Sequence, residues 1–361
     1  MKKNILLLFS LLLTITLILE FGLKVFYPQN LNGWYAYSDK NGLNILKKNI
    51  PYYHRINNHS VKYNFGSYNN RTTKKEILKQ KKILILGDSF TFGWLVDDKN
   101  IFVNKLQEHF TEYNFLNPSV PGWGTSDYVR YVENYCNQIK PKKIIVMLNT
   151  DDFTRAWLSK LYEFKIHDLE EPSNNMIKLG PGKHLNYDSK FHKIPFYKFF
   201  INNSHLFVFI RQSILDIKNG EINFFENSKK INTNNDKSIQ NINHIPNQNL
   251  EVEYLEKASM LGKILLLRLK KISKSCGSEL IVIYSGWWDY RGNHYDIPTL
   301  YFLNEAKSFF QKNGIDYYDF VKDMKNVHQN FNQYVIQNDW HPNEQGHKII
   351  SENIIKKISL D

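Results

Sequence analysis

The chain predicts an α/β fold: a parallel sheet covered by helices. Two observations point there. Short apolar runs such as ILIL (83–86), KKIIVMLNT (142–150) and GSELIVIYSG (277–286) have the composition of strands buried on both faces. Segments with helical spacing separate them, and strand–helix alternation at these intervals is the signature of a helix-covered parallel sheet.

The elements follow in order. KKILILGDS (81–89) reads as a buried strand ending in glycine, and NKLQEHF (104–110) as the helix after it. YNFLNPS (113–119) is a second strand. SDYVRYVENYCNQI (126–139) is amphipathic, with Ser126 as its expected N-cap and Tyr128, Val132, Tyr135 and Ile139 on one face. Residues 142–150 form the third strand. The pattern lapses over 155–248, read as an insertion. Within it FVFIRQSILDI (207–217) is helical, and the Asn-rich tract 232–249 is an exposed loop. A long helix follows over 250–273, with Tyr254, Ala258, Leu261, Leu265, Leu269 and Ile272 in helical register. Residues 277–286 give a fourth strand, 300–314 a helix closed by Gly314, 315–320 a fifth strand and 343–358 a terminal helix.

Composition narrows the function. The 361 residues are 42% hydrophobic, enough for a large core, and carry a net charge of +12. No Lys/Arg-rich tract resembles a nucleic-acid footprint. The charge reads as a solvated basic surface, or as attraction to anionic polymers or lipid head groups. Lys2 and Lys3 precede ILLLFSLLLTITLIL (5–19), a run that extends to Tyr27 if Glu20 sits near an interface. A full span needs about 20 apolar residues. A cleaved signal would want a small-x-small site, which ILEFGLKVFYPQN does not offer. The expectation is an uncleaved membrane anchor over 1–27 and a stem or wrap over 28–80. The flanking lysines place the N-terminus inside and the rest outside the cytoplasm, periplasmic or at the cell surface. An even cysteine count, Cys136 and Cys276, permits one disulfide in an exported protein; two buried thiols are the alternative.

The strand ends carry the chemistry. They deliver Gly87-Asp88-Ser89, then NPSVPGWGTS (117–126), then LNTDDF (148–153), while NDWHPN (338–343) precedes the last helix. In an open parallel sheet, ligands sit beyond the carboxyl ends of the strands. A nucleophile, a Gly-rich loop, an Asn/Asp cluster and an Asp-x-His pair at one edge are the inventory of a serine hydrolase. No metal-ligand cluster and no phosphate-cradling loop is evident, so no cofactor is expected.

These blocks, in this order, resemble the SGNH, or GDSL-type, hydrolases over roughly 81–154 and 275–361. GDSFTFG matches the first block, NPSVPGWGTS the second, LNTDDF the third and DWHPNEQGH the fifth. The resemblance implies a three-layer, flavodoxin-like α/β/α domain over 81–361. It implies Ser89 as nucleophile, His341 as base, Asp339 as the residue orienting it, and the N–H groups of Ser89 and Gly122 as oxyanion donors. Two departures stand out. Asp151 occupies the place where the family carries an oxyanion-donating Asn, with Asn149 or Thr150 as alternative donors. The acid position three residues before His341 holds Asn338, so Asp339, two before, takes the role. The expected activity is removal of acyl, in particular acetyl, groups from an ester outside the cytoplasm, with an envelope polysaccharide as the substrate class. Acyl transfer through the same intermediate, and a non-catalytic envelope binding or assembly protein, are the alternatives. Asp88 is expected to be structural and His347 to pack or cap. Trp287, Trp288 and Tyr290 are candidates for stacking on a sugar or for the core.

Overall fold

The computed structural model describes residues 2–31, 35–56, 59–72, 81–149, 151–165, 174–180, 182, 194–218, 248–284, 297–320, 323–324, 327, 329–337 and 339–358. Thr150, Asn338, Trp287, Trp288 and Tyr290 lie outside these residues, as does the Asn-rich tract up to residue 247. The chain divides into two compact units, residues 1–35 with 186–245, and 36–185 with 246–361.

The larger unit contains β1 (Ala36–Ser38), β2 (Asn44–Leu46), β3 (Tyr52–Ile56), β4 (His59–Tyr63), β5 (Lys81–Leu86), β6 (Tyr113–Leu116), β7 (Lys143–Leu148), β8 (Tyr162–Phe164), β9 (Ile177–Leu179), β10 (Glu279–Tyr284) and β11 (Asp316–Asp319). The smaller contains α1 (Lys2–Phe26), α6 (Tyr197–Asn203) and α7 (His205–Lys218). The remaining helices belong to the larger unit: α2 (Ser89–Phe92), α3 (Phe102–His109), α4 (Thr125–Ile139), α5 (Asp151–Ser159), α8 (Gln248–Ser275), α9 (Ile297–Lys312) and α10 (Glu344–Lys357).

Five strands form one parallel sheet in the order β11-β10-β7-β5-β6. The fold is therefore α/β with a central parallel sheet, as expected. Successive strand side chains alternate between faces. Ile83, Ile85, Ile145, Met147, Ile281 and Ile283 join Phe102, Val103 and Leu106 of α3 and Ile350 and Ile354 of α10 in one core cluster. The alternate residues Leu84, Leu86, Ile144, Val146 and Val282 are equally buried, on the side where α4, α5 and α8 pack together. Both faces are covered, which gives three layers and explains why the strands read as unbroken apolar runs. Each fully buried Ile or Leu contributes about 1.5–3 kcal/mol relative to exposure.

Several boundaries shift for identifiable reasons. Gly124, not Ser126, is the N-cap of α4, and the Asp127 carboxylate accepts the Gly124 N–H at 2.9 Å. A side chain at Gly124 would meet Asp152 O and Ala156 N of α5, so glycine permits this close approach. Helix α5 lies at the start of the segment read as an insertion. Cys136, in the last turn of α4, is disulfide-bonded to Cys276, just beyond α8, with Cα atoms 6.2 Å apart. Within 36–72, two antiparallel hairpins, β1–β2 and β3–β4, form where sequence periodicity is weak.

In the smaller unit, α1 is long and apolar enough to cross a membrane. Glu20, its single acidic residue, accepts the His205 and Leu206 N–H groups and the Ser204 hydroxyl, capping α7.

Candidate active site

Strand β5 has β6 on one side and β7 on the other, so the chain reverses direction across the sheet at β5. Ligands of open α/β sheets bind at such a switch point, beyond the carboxyl ends. There the chain runs through Gly87 and Asp88 into the short helix α2, whose first residue is Ser89. Asp88 caps α2 by accepting the Phe90 N–H at 2.9 Å. A Cβ at Gly87 would lie 1.9 Å from Thr91 Oγ1, so only glycine allows the turn this tight.

Ser89 Oγ lies 2.7 Å from His341 Nε2, across 252 positions of sequence. The other ring nitrogen, Nδ1, is hydrogen-bonded to Asp339 Oδ1, and the His341 N–H donates to the same oxygen at 3.0 Å. A two-residue gap suffices because the loop doubles back. The Asp339 N–H donates to Ile336 O, the Ile336 N–H donates to His341 O, and Val335 bridges Pro342. Asn343 fixes the loop's exit, donating from Nδ2 to Gln333 O and Val335 O while capping α10 through Oδ1.

Burial pushes the Asp339 carboxyl up, but the His341 ring, the His341 N–H and the Trp94 indole outweigh it, so its pKa lies below the ordinary value. Asp339 therefore stays ionised down to pH values below the usual carboxylate range. A neutral His341 with its proton on Nδ1 would donate to Asp339 and accept the Ser89 proton at Nε2. That is the arrangement for general-base activation of a hydroxyl.

Residues not anticipated from sequence surround this group. Trp94 Nε1 donates to Asp339 Oδ2 at 3.2 Å, and its ring lies 5.8 Å from that of His341. Behind Trp94, His54 of β3 meets it edge-on at 4.3 Å, and His54 Nδ1 is 2.6 Å from the Tyr63 hydroxyl. Burial, then the charge of Arg71, lower the His54 pKa to about 4, so it is neutral and packs as an uncharged ring. Trp94 thus acts on the site through Asp339. Trp94→Phe should lower kcat on a model acetyl ester by about tenfold with KM nearly unchanged, since a hydrogen bond to a charged group is worth about 1.5–3 kcal/mol. An unaltered kcat would remove Trp94 from the positioning role.

The second and third blocks meet the first through Arg155 of α5. Its Nη1 donates to Asp88 Oδ2 at 2.6 Å and to Trp123 O at 3.4 Å, and its Nη2 to Asp151 Oδ2 at 3.3 Å. Burial disfavours its charge, but Asp88, Asp151 and Asp152 outweigh that and raise its pKa. Asn149 Nδ2 donates to the other Asp88 oxygen at 3.1 Å, and the Asn149 N–H donates to Asp152 Oδ2 at 2.8 Å. Asp88 is fully buried and occupied by these structural bonds. Asp152 is pushed up, by burial first and by the charge of Asp88 second.

Asp151 is thus ion-paired, and its carboxylate is 40% exposed. Gly122 has φ +85°, a conformation that favours glycine, and a Cβ there would meet nothing within 4 Å. His347 is buried, stacks on Phe102 and accepts the Phe102 N–H at Nδ1, 3.3 Å away. The DDFTR spacing gave a signal for Arg155, which sits i+4 from Asp151 and i+3 from Asp152. Nothing in the local sequence marked Trp94 or His54.

The motif blocks lie on an α/β fold with a central parallel sheet covered on both faces, the arrangement that the sequence resemblance to SGNH-type hydrolases implies. No family model and no curated protein matches the chain. Among solved structures, it is similar to a member of the lipolytic protein G-D-S-L family from Veillonella parvula, with 12% identity and a TM-score of 0.42, covering 78% of this chain and 100% of that one. It is also similar to a psychrotrophic esterase from Pseudoalteromonas sp., with 11% identity and a TM-score of 0.41, covering 77% and 96%. A variant of an acetyl-xylooligosaccharide esterase from Geobacillus matches at 14% identity and a TM-score of 0.41, covering 78% and 96%.

Proposed function

We propose that the chain is a membrane-anchored SGNH-type serine esterase that removes acyl groups, in particular acetyl groups, from an ester outside the cytoplasm. The observation that carries this reading is the Ser89–His341–Asp339 alignment, which brings together residues 252 positions apart. In the reaction, Ser89 Oγ attacks the ester carbonyl as His341 Nε2 takes its proton. Asp339 holds the imidazole and stabilises its positive charge. The N–H groups of Ser89 and Gly122 serve as the oxyanion donors in this reading. His341 returns the proton to the leaving alcohol, and water then releases the acyl group by the reverse sequence of proton transfers.

Where the family places an Asn side chain with N–H groups to offer the oxyanion, Asp151 has a carboxylate paired with Arg155. Its ion pair with Arg155 weakens the repulsion it would exert on the oxyanion. Asp151→Asn should therefore raise kcat on a model acetyl ester, but by less than about tenfold, well inside the roughly 10²–10³ that one oxyanion donor supplies. A large loss of kcat would assign the carboxylate a positive role in the reaction.

Residues 1–27 serve as the anchor in this reading. The net charge of +12 suits an acylated, anionic envelope polysaccharide as the substrate class. The test uses the full chain with a serine-directed phosphonate and with acetyl-labelled polysaccharide. Covalent phosphonylation of Ser89 and release of free acetate support an esterase. Label carried to an added glycan acceptor redirects the reading to acyl transfer. A folded protein that takes no label at Ser89 is not a serine esterase.

A further inference from the structure

The smaller unit exposes apolar surface beyond α1. Helices α6 and α7 pack on each other: Arg211 Nε donates to the Tyr197 hydroxyl at 2.7 Å, and Phe207 lies 5.6 Å from both Tyr197 and Phe200. Their outer faces are apolar. On and before α6, Phe196, Phe199 and Phe200 follow helical spacing, with Phe196 76% and Phe199 61% exposed. On α7, Ile210, Ile214 and Ile217 stand at i, i+4 and i+7, with Ile214 59% exposed. Large exposed apolar groups in one segment mark an interaction surface rather than a solvated one.

We infer that α6 and α7 lie in the lipid–water interface of the membrane that α1 enters, with Phe196, Phe199, Phe200, Ile210, Ile214 and Ile217 immersed among the acyl chains. The inference rests on the anchor reading above. Three observations choose a bilayer over a protein partner. The first is continuity: Glu20, within the apolar helix, is used to cap α7, and the Gln29 N–H donates to His205 Nδ1 at 2.9 Å, so the start of α7 is fixed to the C-terminal third of α1. Glu20 lies six residues before the end of α1, about 9 Å along the axis at 1.5 Å per residue, which is interfacial depth for a spanning helix. Tyr27 also meets Phe209 edge-on at 6.3 Å.

The second is composition. Between residues 194 and 218 the chain carries Lys198, Arg211 and Lys218 against Asp216 alone, together with Phe, Tyr and Ile. Cations beside aromatic and aliphatic groups describe an in-plane helix on an anionic leaflet. The third is length. At 14 residues, α7 is too short to span the bilayer and suits an in-plane position.

The experiment places the full chain in vesicles of phosphatidylethanolamine and phosphatidylglycerol containing a phospholipid with a photoactivatable diazirine near the head of its acyl chain. After irradiation and digestion, adducts should map to α1 and to α6–α7, the latter roughly tenfold above the level on α3 or α10. The double variant Phe199→Ser with Ile214→Ser should lower labelling of α6–α7 while labelling of α1 and ester turnover stay unchanged. Labelled α1 with unlabelled α6–α7 overturns the inference and leaves the anchor standing. Absence of adducts on both removes the anchor reading, and the inference falls with it. In a second arm, Phe199→benzoylphenylalanine should crosslink to lipid; crosslinking to a second copy of the chain overturns the inference.

Discussion

Ser89→Ala should reduce turnover of a model acetyl ester by roughly 10⁴–10⁶, the scale seen when one member of a nucleophile–base pair is removed. The physical reason is the single bond path from Ser89 Oγ to His341 Nε2 to Asp339. In the serine-esterase reading proposed above, no acyl-enzyme forms without the hydroxyl. Residual rate would come only from binding and the oxyanion donors. His341→Ala should cost about as much, and the double variant no more than either single one, because the two side chains act as a unit. Asp339→Asn should cost roughly 10⁴, since it leaves the imidazole in place but disturbs its tautomer. The three results are read together with thermal unfolding of each variant. Ser89 is 8% exposed and sits in a short helix whose cap is Asp88, so its loss should leave the fold intact. Folded Ser89→Ala protein with near-normal turnover would end the serine-esterase reading.

Much of this was legible in the chain. Strands β5, β7 and β10 fall inside the apolar runs because central parallel strands covered on both faces need nearly continuous Ile, Leu and Val, whereas the edge strands β6 and β11 read YNFL and DYYD. The meeting of residues 89 and 341 was legible only through motif order, since no local property of DWHPN points to a partner 252 positions away. What sequence did not reveal is how the site is supported. Arg71 and His54 sit in a stretch of weak periodicity, rich in Tyr and Asn, that reads as a wrap without structure of its own. Their contacts are long-range and fully desolvated, and burial of a cation or an imidazole leaves no pattern in neighbouring residues. Trp94 has the same character, because an indole next to an apolar turn looks like core whether or not its N–H has a task. Asp151 shows the converse limit. Sequence alone set its charge against the reaction, whereas its spacing to Arg155 in DDFTR also encoded the compensating ion pair. In the smaller unit, FVFIRQSILDI read as helix, but the use of Glu20 as its cap depends on a contact across 185 positions.

Arg71→Met should destabilise the larger unit by about 3–5 kcal/mol, the cost of breaking a buried ion pair and leaving the partner charged. The Arg71 side chain is fully buried. Its Nε donates to Asp98 Oδ1 at 2.6 Å, Nη1 to Phe92 O at 2.6 Å and to Gly93 O, and Nη2 to Val96 O. The guanidinium lies 4.2 Å from the Tyr63 ring centre and 4.9 Å from that of Phe92. Its backbone N–H donates to Asn117 O at 2.7 Å, and Asn117 Nδ2 donates to Thr91 O at 2.7 Å. One residue of the wrap therefore holds three carbonyls at and beyond the end of α2 and ties the first motif block to the second. Methionine fills much of the volume but removes the guanidinium donors from Phe92 O, Gly93 O and Val96 O, and leaves Asp98, whose Oδ2 still accepts the Asn64 N–H and Nδ2, without its cation. Arg71→Lys should recover only part of the loss, because a single ammonium cannot reproduce the planar fork that reaches four acceptors. The double variant Arg71→Met with Asp98→Asn should be less destabilised than the sum of the single variants, since neutralising Asp98 removes the stranded charge. Urea unfolding of the four proteins measures this. Turnover per folded molecule adds a second readout: with Gly93 O and Val96 O released, the loop carrying Trp94 loosens, and the hydrogen bond from Trp94 to Asp339 should weaken with it. An Arg71→Met protein as stable and as active as the parent would show that the wrap plays no part in holding the site.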